Sequence, residues 1–266
     1  MSQLLPAVFI GHGNPMNALD DNVNSRQWQA LRSALPRPRA ILAISAHWVT
    51  DGVAVTAMAQ PETIHDFYGF PQQLAEFQYP APGDPELARR VGSLLAPEPV
   101  ALDLEWGLDH GVWSVLAHLY PDADIPVVQL SLNGREGAAW HLGLARRLRR
   151  LRDEGVLILG SGNVVHNLHR MDWGRPDTSH DWAIRFNAET RDALLAGDLE
   201  ALAAQAFPDQ TRPDAVLAVP TAEHYLPLLY IAALRDEAEP MSLFNDRFVY
   251  GAIGMLSLIV GESRSS

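Results

Sequence analysis

Short, uninterrupted apolar runs alternate along this chain with longer stretches in which apolar residues recur at helical spacing. The runs 7–10, 40–46, 53–57, 125–132, 156–159 and 215–219 are rich in valine, isoleucine, leucine and alanine and are bounded by glycine, proline, asparagine or aspartate. That composition predicts strands buried on both faces. Segments 25–35, 85–95, 113–119, 138–151 and 182–195 carry apolar residues three or four apart, which predicts helices with one buried face. Together they predict an α/β fold, a central mostly parallel or mixed sheet covered by helices. Gly251 and Gly254 interrupt the last apolar stretch, 248–260, so it reads as one or two late strands with a bend. The proline-rich piece 79–85 reads as a loop leading into a helix that begins near Pro85. No repeat or low-complexity tract divides the chain, and residues 1–266 are expected to form a single catalytic domain.

Composition narrows the chemistry. The formal net charge of -12 repels phosphate backbones and anionic lipid, so neither nucleic acid nor a membrane surface is an expected partner. Every fixed positive side chain is arginine; without lysine, Schiff-base and P-loop lysine chemistry drop out. Without cysteine there is no thiolate zinc site, iron–sulfur cluster or cysteine nucleophile, and any metal must be held by nitrogen and oxygen. Residues 1–6 place no basic segment ahead of an apolar stretch, and no apolar run reaches membrane-spanning length, so a cytoplasmic protein is expected. Gly11 and Gly13 match only part of a dinucleotide fingerprint, which lacks its third glycine here. The run Arg146, Arg147, Arg149, Arg150 and Arg152, interleaved with leucines, reads as the solvated face of an amphipathic helix.

Four histidines stand where buried runs give way to small or polar residues: His12 in Ile-Gly-His-Gly-Asn, His47 in Ser-Ala-His-Trp, His166 in Asn-Val-Val-His-Asn and His224 in Ala-Glu-His-Tyr. His12 follows the first strand, His47 ends the second, and His166 lies on the loop after 156–159. Loops from neighbouring strands meet at the carboxyl edge of such a sheet, where ligands bind, and His224, near the start of a helix, can reach the same edge. One histidine at a strand end is ordinarily a hydrogen-bonded structural residue; four in equivalent places predict a metal site, for which neutral imidazole is the commonest ligand. His110 is a fifth candidate, since Gly111 permits close approach of a ligand and Trp113 can wall an aromatic pocket. His65 occupies an aromatic loop that can form a lid, and His65 and Trp113 are the candidate substrate contacts. His118 and His141 fall within helical periods, and His169 and His180 in polar stretches, which places them on helix faces or in solvent.

Six ordered motifs carry a resemblance that runs nearly end to end. They are Ile-Gly-His-Gly-Asn-Pro-Met-Asn-Ala-Leu, Ser-Ala-His-Trp, Thr-Ile-His-Asp-Phe-Tyr-Gly-Phe-Pro, Leu-Asp-His-Gly-Val-Trp, Ser-Gly-Asn-Val-Val-His-Asn-Leu and Glu-His-Tyr-Leu-Pro-Leu-Leu-Tyr. The chain resembles the class III extradiol ring-cleavage dioxygenases, in particular the 4,5-DOPA extradiol dioxygenase branch. The resemblance implies that His12, His47 and His224 are metal ligands, that His166 is an active-site histidine also counted with the metal cluster, and that His110 is the partner acid/base. Fe(II) is the metal implied for catalysis, and an all-nitrogen ligand set also attracts Zn(II). More distant members complete the site with glutamate; here Glu223 and His224 are adjacent, and His224 is the expected ligand. The segment after His166, Asn-Leu-His-Arg-Met-Asp, differs from the plant pigment enzymes, so the resemblance carries a small catechol, with O2, as substrate class rather than DOPA itself.

The residue types suit that chemistry. A catechol chelates through two vicinal oxygens, so the metal needs about three protein ligands and open positions for substrate and O2. His166 is the candidate base for the catechol proton and His110 the candidate proton donor. Two other readings use the same residues: a zinc-dependent hydrolase, in which three histidines leave one position for an activated water, and a non-catalytic metal-binding relative of the same fold. Oligomeric state is not encoded in these patterns.

Overall fold

In the central strands, alternate residues face two separate helical layers, and this period of two builds the molecule. The computed structural model describes residues 4–262; residues 1–3, part of the segment considered above for a leader, and 263–266 lie outside the described residues. The elements are, in order, β1 (Ala7–Gly11), α1 (Val23–Ala34), β2 (Ala40–Thr50), β3 (Val53–Thr56), α2 (Gln72–Ala75), α3 (Pro85–Leu95), β4 (Val100–Asp103), α4 (His110–Leu119), β5 (Val127–Asn133), α5 (Ala138–Leu148), α6 (Arg150–Asp153) and β6 (Val156–Gly162). They continue with α7 (Asp181–Ala196), α8 (Leu199–Ala206), α9 (Pro213–Ala218), α10 (Leu226–Ala232), β7 (Met241–Phe244), β8 (Phe248–Val249), β9 (Ile253–Gly254) and β10 (Ser257–Val260).

Eight strands form one mixed sheet in the order β4-β3-β5-β2-β6-β1-β10-β7. The central four, β5, β2, β6 and β1, are parallel to one another, so their carboxyl ends share an edge. The last strand, β10, returns antiparallel beside β1 and β7. Within β2, Ala40, Leu42 and Ile44 pack with Leu87, Val91 and Leu95 of α3, Leu148 of α5 and Leu228 of α10. Ile41 and Ala43, between them, pack on the opposite face with Trp28 and Leu31 of α1 and Val112, Val115 and Leu116 of α4. Apolar residues on both faces are why these strands read as continuous hydrophobic runs. The α/β class and the helical cover match the expectation. Among the described residues no helix is long and apolar enough to cross a membrane.

Several local expectations change. Residues 215–219 are not a strand: Pro213 opens α9 at its first position with Asp214 in its first turn, and Ala215 and Ala218 turn inward. A short apolar run carries no period of its own, and the proline two residues earlier is the helix-start signal that decides it. Strands β4 and β7, at the two borders of the sheet, are only partly buried and so lack the continuous apolar run. The 79–85 piece does lead into a helix, whose cap is the Asp84 side chain, accepting from the N–H groups of Glu86 and Leu87. Arg152 is not solvated; its guanidinium is fully buried and ion-paired to Glu239.

His141 is likewise in the core rather than on a helix face, its Nδ1 3.0 Å from the Tyr230 hydroxyl. Burial pushes its pKa down from 6.5 to about 4, against the pull of the Asn133 and Glu136 carbonyls. The folded protein therefore holds fewer protons than the unfolded chain between those values. This stability is fully present above pH 6.5 and is lost as the pH falls toward 4, a contribution on the order of 3 kcal/mol. Replacing His141 with glutamine is expected to flatten the dependence of the unfolding free energy on pH in that window by up to about one proton. Denaturant titrations at several pH values check this, and an unchanged slope would remove His141 from the acid sensitivity.

Candidate metal centre

The carboxyl edge of β1, β2 and β6 collects five histidines by five different local devices. His12 is the first residue past β1, its N–H donating to the Gly162 carbonyl of β6 at 3.1 Å. His47 lies inside β2, within a bulge: Ile44 pairs with Leu130 and Val49 with Leu132, so four residues of β2 arch over one of β5. Bulges re-aim side chains, and this one carries His47. His110 opens α4, which Asp109 caps by accepting from the Val112 N–H. Beyond β6, His166 donates its N–H to the Ala218 carbonyl at the end of α9. His224 precedes α10, its carbonyl accepting from the Asn163 N–H at 2.8 Å.

Two glycines let these pieces close up. A Cβ at Gly162 would lie 2.2 Å from the His224 carbonyl oxygen, so no other residue permits this approach of the α10 turn to β6. A Cβ at Gly111 would meet the Ser45 hydroxyl at 2.8 Å and the His47 ring at 2.9 Å. Gly111 thus makes room for His47 itself, which is a different service from the ligand access read in the sequence.

The rings converge through their nitrogens. Nε2 of His12 and Nε2 of His47 lie 3.1 Å apart. One ring nitrogen from each of His12, His47 and His110 falls within 4.8 Å of the others. The His224 ring lies 5.5 Å from that of His12 and 5.1 Å from that of His47, and its buried Nε2 has no hydrogen-bond partner among the described residues. His166 stacks flat on His224, with ring centres 3.4 Å apart.

Each inward-facing ring is held from behind. His12 Nδ1 lies 3.0 Å from the Ser161 hydroxyl, which donates onward to the Gly111 carbonyl, so Nδ1 must be the donor and Nε2 keeps its lone pair. His110 Nδ1 donates to Asp66 at 2.8 Å, and His47 Nδ1 faces the other oxygen of Asp66 at 3.2 Å. His224 Nδ1 faces Glu223 at 3.3 Å. Outer partners of this kind fix ring orientation and tautomer around a metal.

Electrostatics keep the cluster neutral. Burial, then the neighbouring imidazoles, hold His12 and His224 well below the usual histidine value. Burial and His110 bring His47 down to about 3 although Asp66 opposes the shift, and burial brings His166 to about 4. At neutral pH these four rings are unprotonated, the state a metal requires. Burial pushes Asp109 up to about 6, with Asp66 adding to it, although Ser45 and Gln129 each donate to its carboxylate.

His65 and Trp113 stand farther back. His65 Nε2 is hydrogen-bonded to the Phe77 carbonyl, and Trp113 is wholly buried, donating to the Ile64 carbonyl and stacked near Phe77. Trp113 is therefore core beneath the aromatic loop rather than an open pocket wall. Of that loop's aromatic rings it is Phe67 that meets the cluster, edge-on to His110 at 5.6 Å. Sequence reading passed over Asp66, the immediate neighbour of His65, and also Ser161 and Asp109. The motif held the first of these in plain view, since a carboxylate beside a candidate histidine is a common outer partner. Glu223 meets the cluster through His224 Nδ1, from outside the ring of nitrogens.

The donor set fits a metal ion. With metal–nitrogen bonds of about 2.0–2.1 Å, two nitrogens on one ion stand roughly 3.0–3.4 Å apart, as His12 and His47 do. The partnerless, buried, neutral Nε2 of His224 is a further lone pair that an ion would satisfy.

Residues 6–257 match the family described as the catalytic LigB subunit of aromatic ring-opening dioxygenase. Over 98% of its length the chain is 49% identical to a protein of Escherichia coli (strain K12) named 4,5-DOPA dioxygenase extradiol, of which the match covers 96%. It is 42% identical to a Beta vulgaris protein of the same name over 83% of each. A crystal structure of an uncharacterized protein from Escherichia coli K12 superposes with a TM-score of 0.83 at 44% identity, covering 97% of this chain and all of that one.

Proposed function

The chain belongs to the LigB family of ring-opening dioxygenases and is an extradiol dioxygenase, and from that premise we propose that it opens a small catechol with O2 at a metal held by His12, His47 and His224. The observation that carries this reading is the convergence of neutral imidazoles whose Nδ1 atoms are each engaged from behind, leaving Nε2 lone pairs inward. Fe(II) bound there would supply open positions for both catechol oxygens and for O2, and the path for electrons between ring and oxygen.

The remaining work falls to the chain. His166, neutral because burial holds it near 4, can accept a catechol hydroxyl proton as the substrate enters. Its flat stacking on His224 keeps that base against the ligand set. His110 keeps its Nδ1–H on Asp66, so its Nε2 lone pair can take up a proton released from the catechol and hand that proton on as the O–O bond breaks. Phe67, edge-on to His110, supplies apolar surface that excludes water beside that proton. The relatives named for 4,5-DOPA support a catechol of that kind.

The assignment of base and donor is tested on the iron-loaded protein. His166→Ala is expected to lower kcat by roughly 10²–10⁴-fold, and His110→Gln to fall in the same range. Full turnover in the His166→Ala protein would deprive the mechanism of its base.

A further inference from the structure

Asp66 is the residue behind the cluster that touches two of its members at once. One carboxylate oxygen, Oδ1, accepts from the ring Nδ1 of His110 at 2.8 Å and from its backbone N–H at 3.0 Å. The other, Oδ2, lies 3.2 Å from His47 Nδ1. An ionised carboxylate only accepts, so both rings must present Nδ1–H to it and keep the lone pair on Nε2. For His47, that Nε2 is the atom 3.1 Å from His12. The loop bearing Asp66 is anchored at its start, where Ile64 donates to the Leu108 carbonyl and accepts from the Trp113 ring N–H, and His65 is bonded to the Phe77 carbonyl. Past Asp66, Phe67 lies edge-on to His110, Tyr68 is 96% exposed, and Gly69 turns through a positive φ of 80°.

We propose that Asp66 is a positioning residue that locks His47 and His110 in one common tautomer, so that metal binding at His47 and proton delivery at His110 depend on the same carboxylate. The inference rests on the roles given to these two histidines above. It makes the 64–70 loop part of the site's assembly: with the loop lifted, both rings lose their orienting acceptor together.

Asp66→Asn separates this from a merely structural part. Asparagine has nearly the same shape but one acceptor oxygen and one donor group, so only one ring can keep its Nδ1–H partner. The variant is expected to bind Zn²⁺ about 10–100-fold more weakly in competition with a chromophoric chelator. With iron, its kcat should fall while KM for the catechol stays close to wild type. A second measurement uses the wild-type, metal-free protein, in which long-range ¹H–¹⁵N correlations report the tautomer of each ring, assigned with His47→Gln and His110→Gln proteins. Both rings are expected to carry the proton on Nδ1, and in Asp66→Asn at least one should move it to Nε2. Unchanged zinc affinity together with unchanged tautomers in the variant would overturn the proposal. So would an Nε2–H tautomer for either ring in the wild type, which decides the matter even if the variant does not fold. Should the wild-type protein turn over no catechol, the proposed reaction fails, while zinc affinity and tautomer still judge Asp66.

Discussion

Replacing His12 with alanine is expected to remove metal and ring opening together. The His12 ring lies 5.0 Å from that of His47, 5.5 Å from that of His224 and 5.8 Å from that of His110. Its Nε2 is the nitrogen nearest that of His47, and its Nδ1 is committed to Ser161. Deletion therefore removes one of the two Nε2 atoms that stand 3.1 Å apart, while His110 is held in place by Asp66 and His224 by the turn on β6. The loss should exceed the roughly 10–100-fold that an outer partner costs. Metal analysis after dialysis should find stoichiometric metal in the wild type and traces in His12→Ala, with O2 uptake lost in parallel. His65→Ala is the control: its ring is bonded to the Phe77 carbonyl, and metal content should not change. Stoichiometric metal and turnover in His12→Ala would exclude it from the centre.

Arg152→Met is expected to destabilise the fold more than the loss of any exposed charge. The guanidinium donates to the carbonyls of Leu5, Leu234 and Val260 and pairs with both oxygens of Glu239. One side chain thus ties the chain's entry into β1, the segment after α10 and the end of β10. Methionine fills much of the volume but leaves three carbonyls without this donor and the Glu239 carboxylate with only the Asp236 N–H and Arg149. Breaking a buried pair from one side costs about 3–5 kcal/mol, which for a chain of this size lowers Tm by roughly 10 °C. Arg26→Ala, which breaks an exposed pair with Asp21, should leave the midpoint in place. Calorimetry of the two variants decides; equal midpoints would mean that Arg152 is as dispensable as a surface arginine.

Arg152 also illustrates where sequence reading stops. Arg146, Arg147, Arg149, Arg150 and Arg152 form one pattern in the sequence, but the break at Arg149 between α5 and α6 turns the last of them into the core. Its partner Glu239 lies far along the chain, and no local period announces such a pairing. The buried strands were legible because each is apolar on both faces, and His12, His47 and His166 because they lie at or just past such strands; His224 follows an apolar run that is the helix α9, and His110 opens α4. The β2 bulge at His47 was not legible, since extra residues in one strand have no composition of their own. Nor was the double contact of Asp66, which depends on how a loop folds back over α4. Residues 215–219 show the reverse error, an apolar run taken for a strand where Pro213 begins a helix.

The most direct test of the account is O2 uptake, recorded with visible absorbance, after the protein is loaded anaerobically with Fe(II) and given L-DOPA and simpler catechols. Uptake stoichiometric with catechol, accompanied by a yellow ring-opened product and absent from the zinc-loaded protein, is the predicted result. Silence with every catechol at confirmed iron occupancy would contradict it and transfer the same histidines to a hydrolytic zinc site or a metal-binding role without turnover.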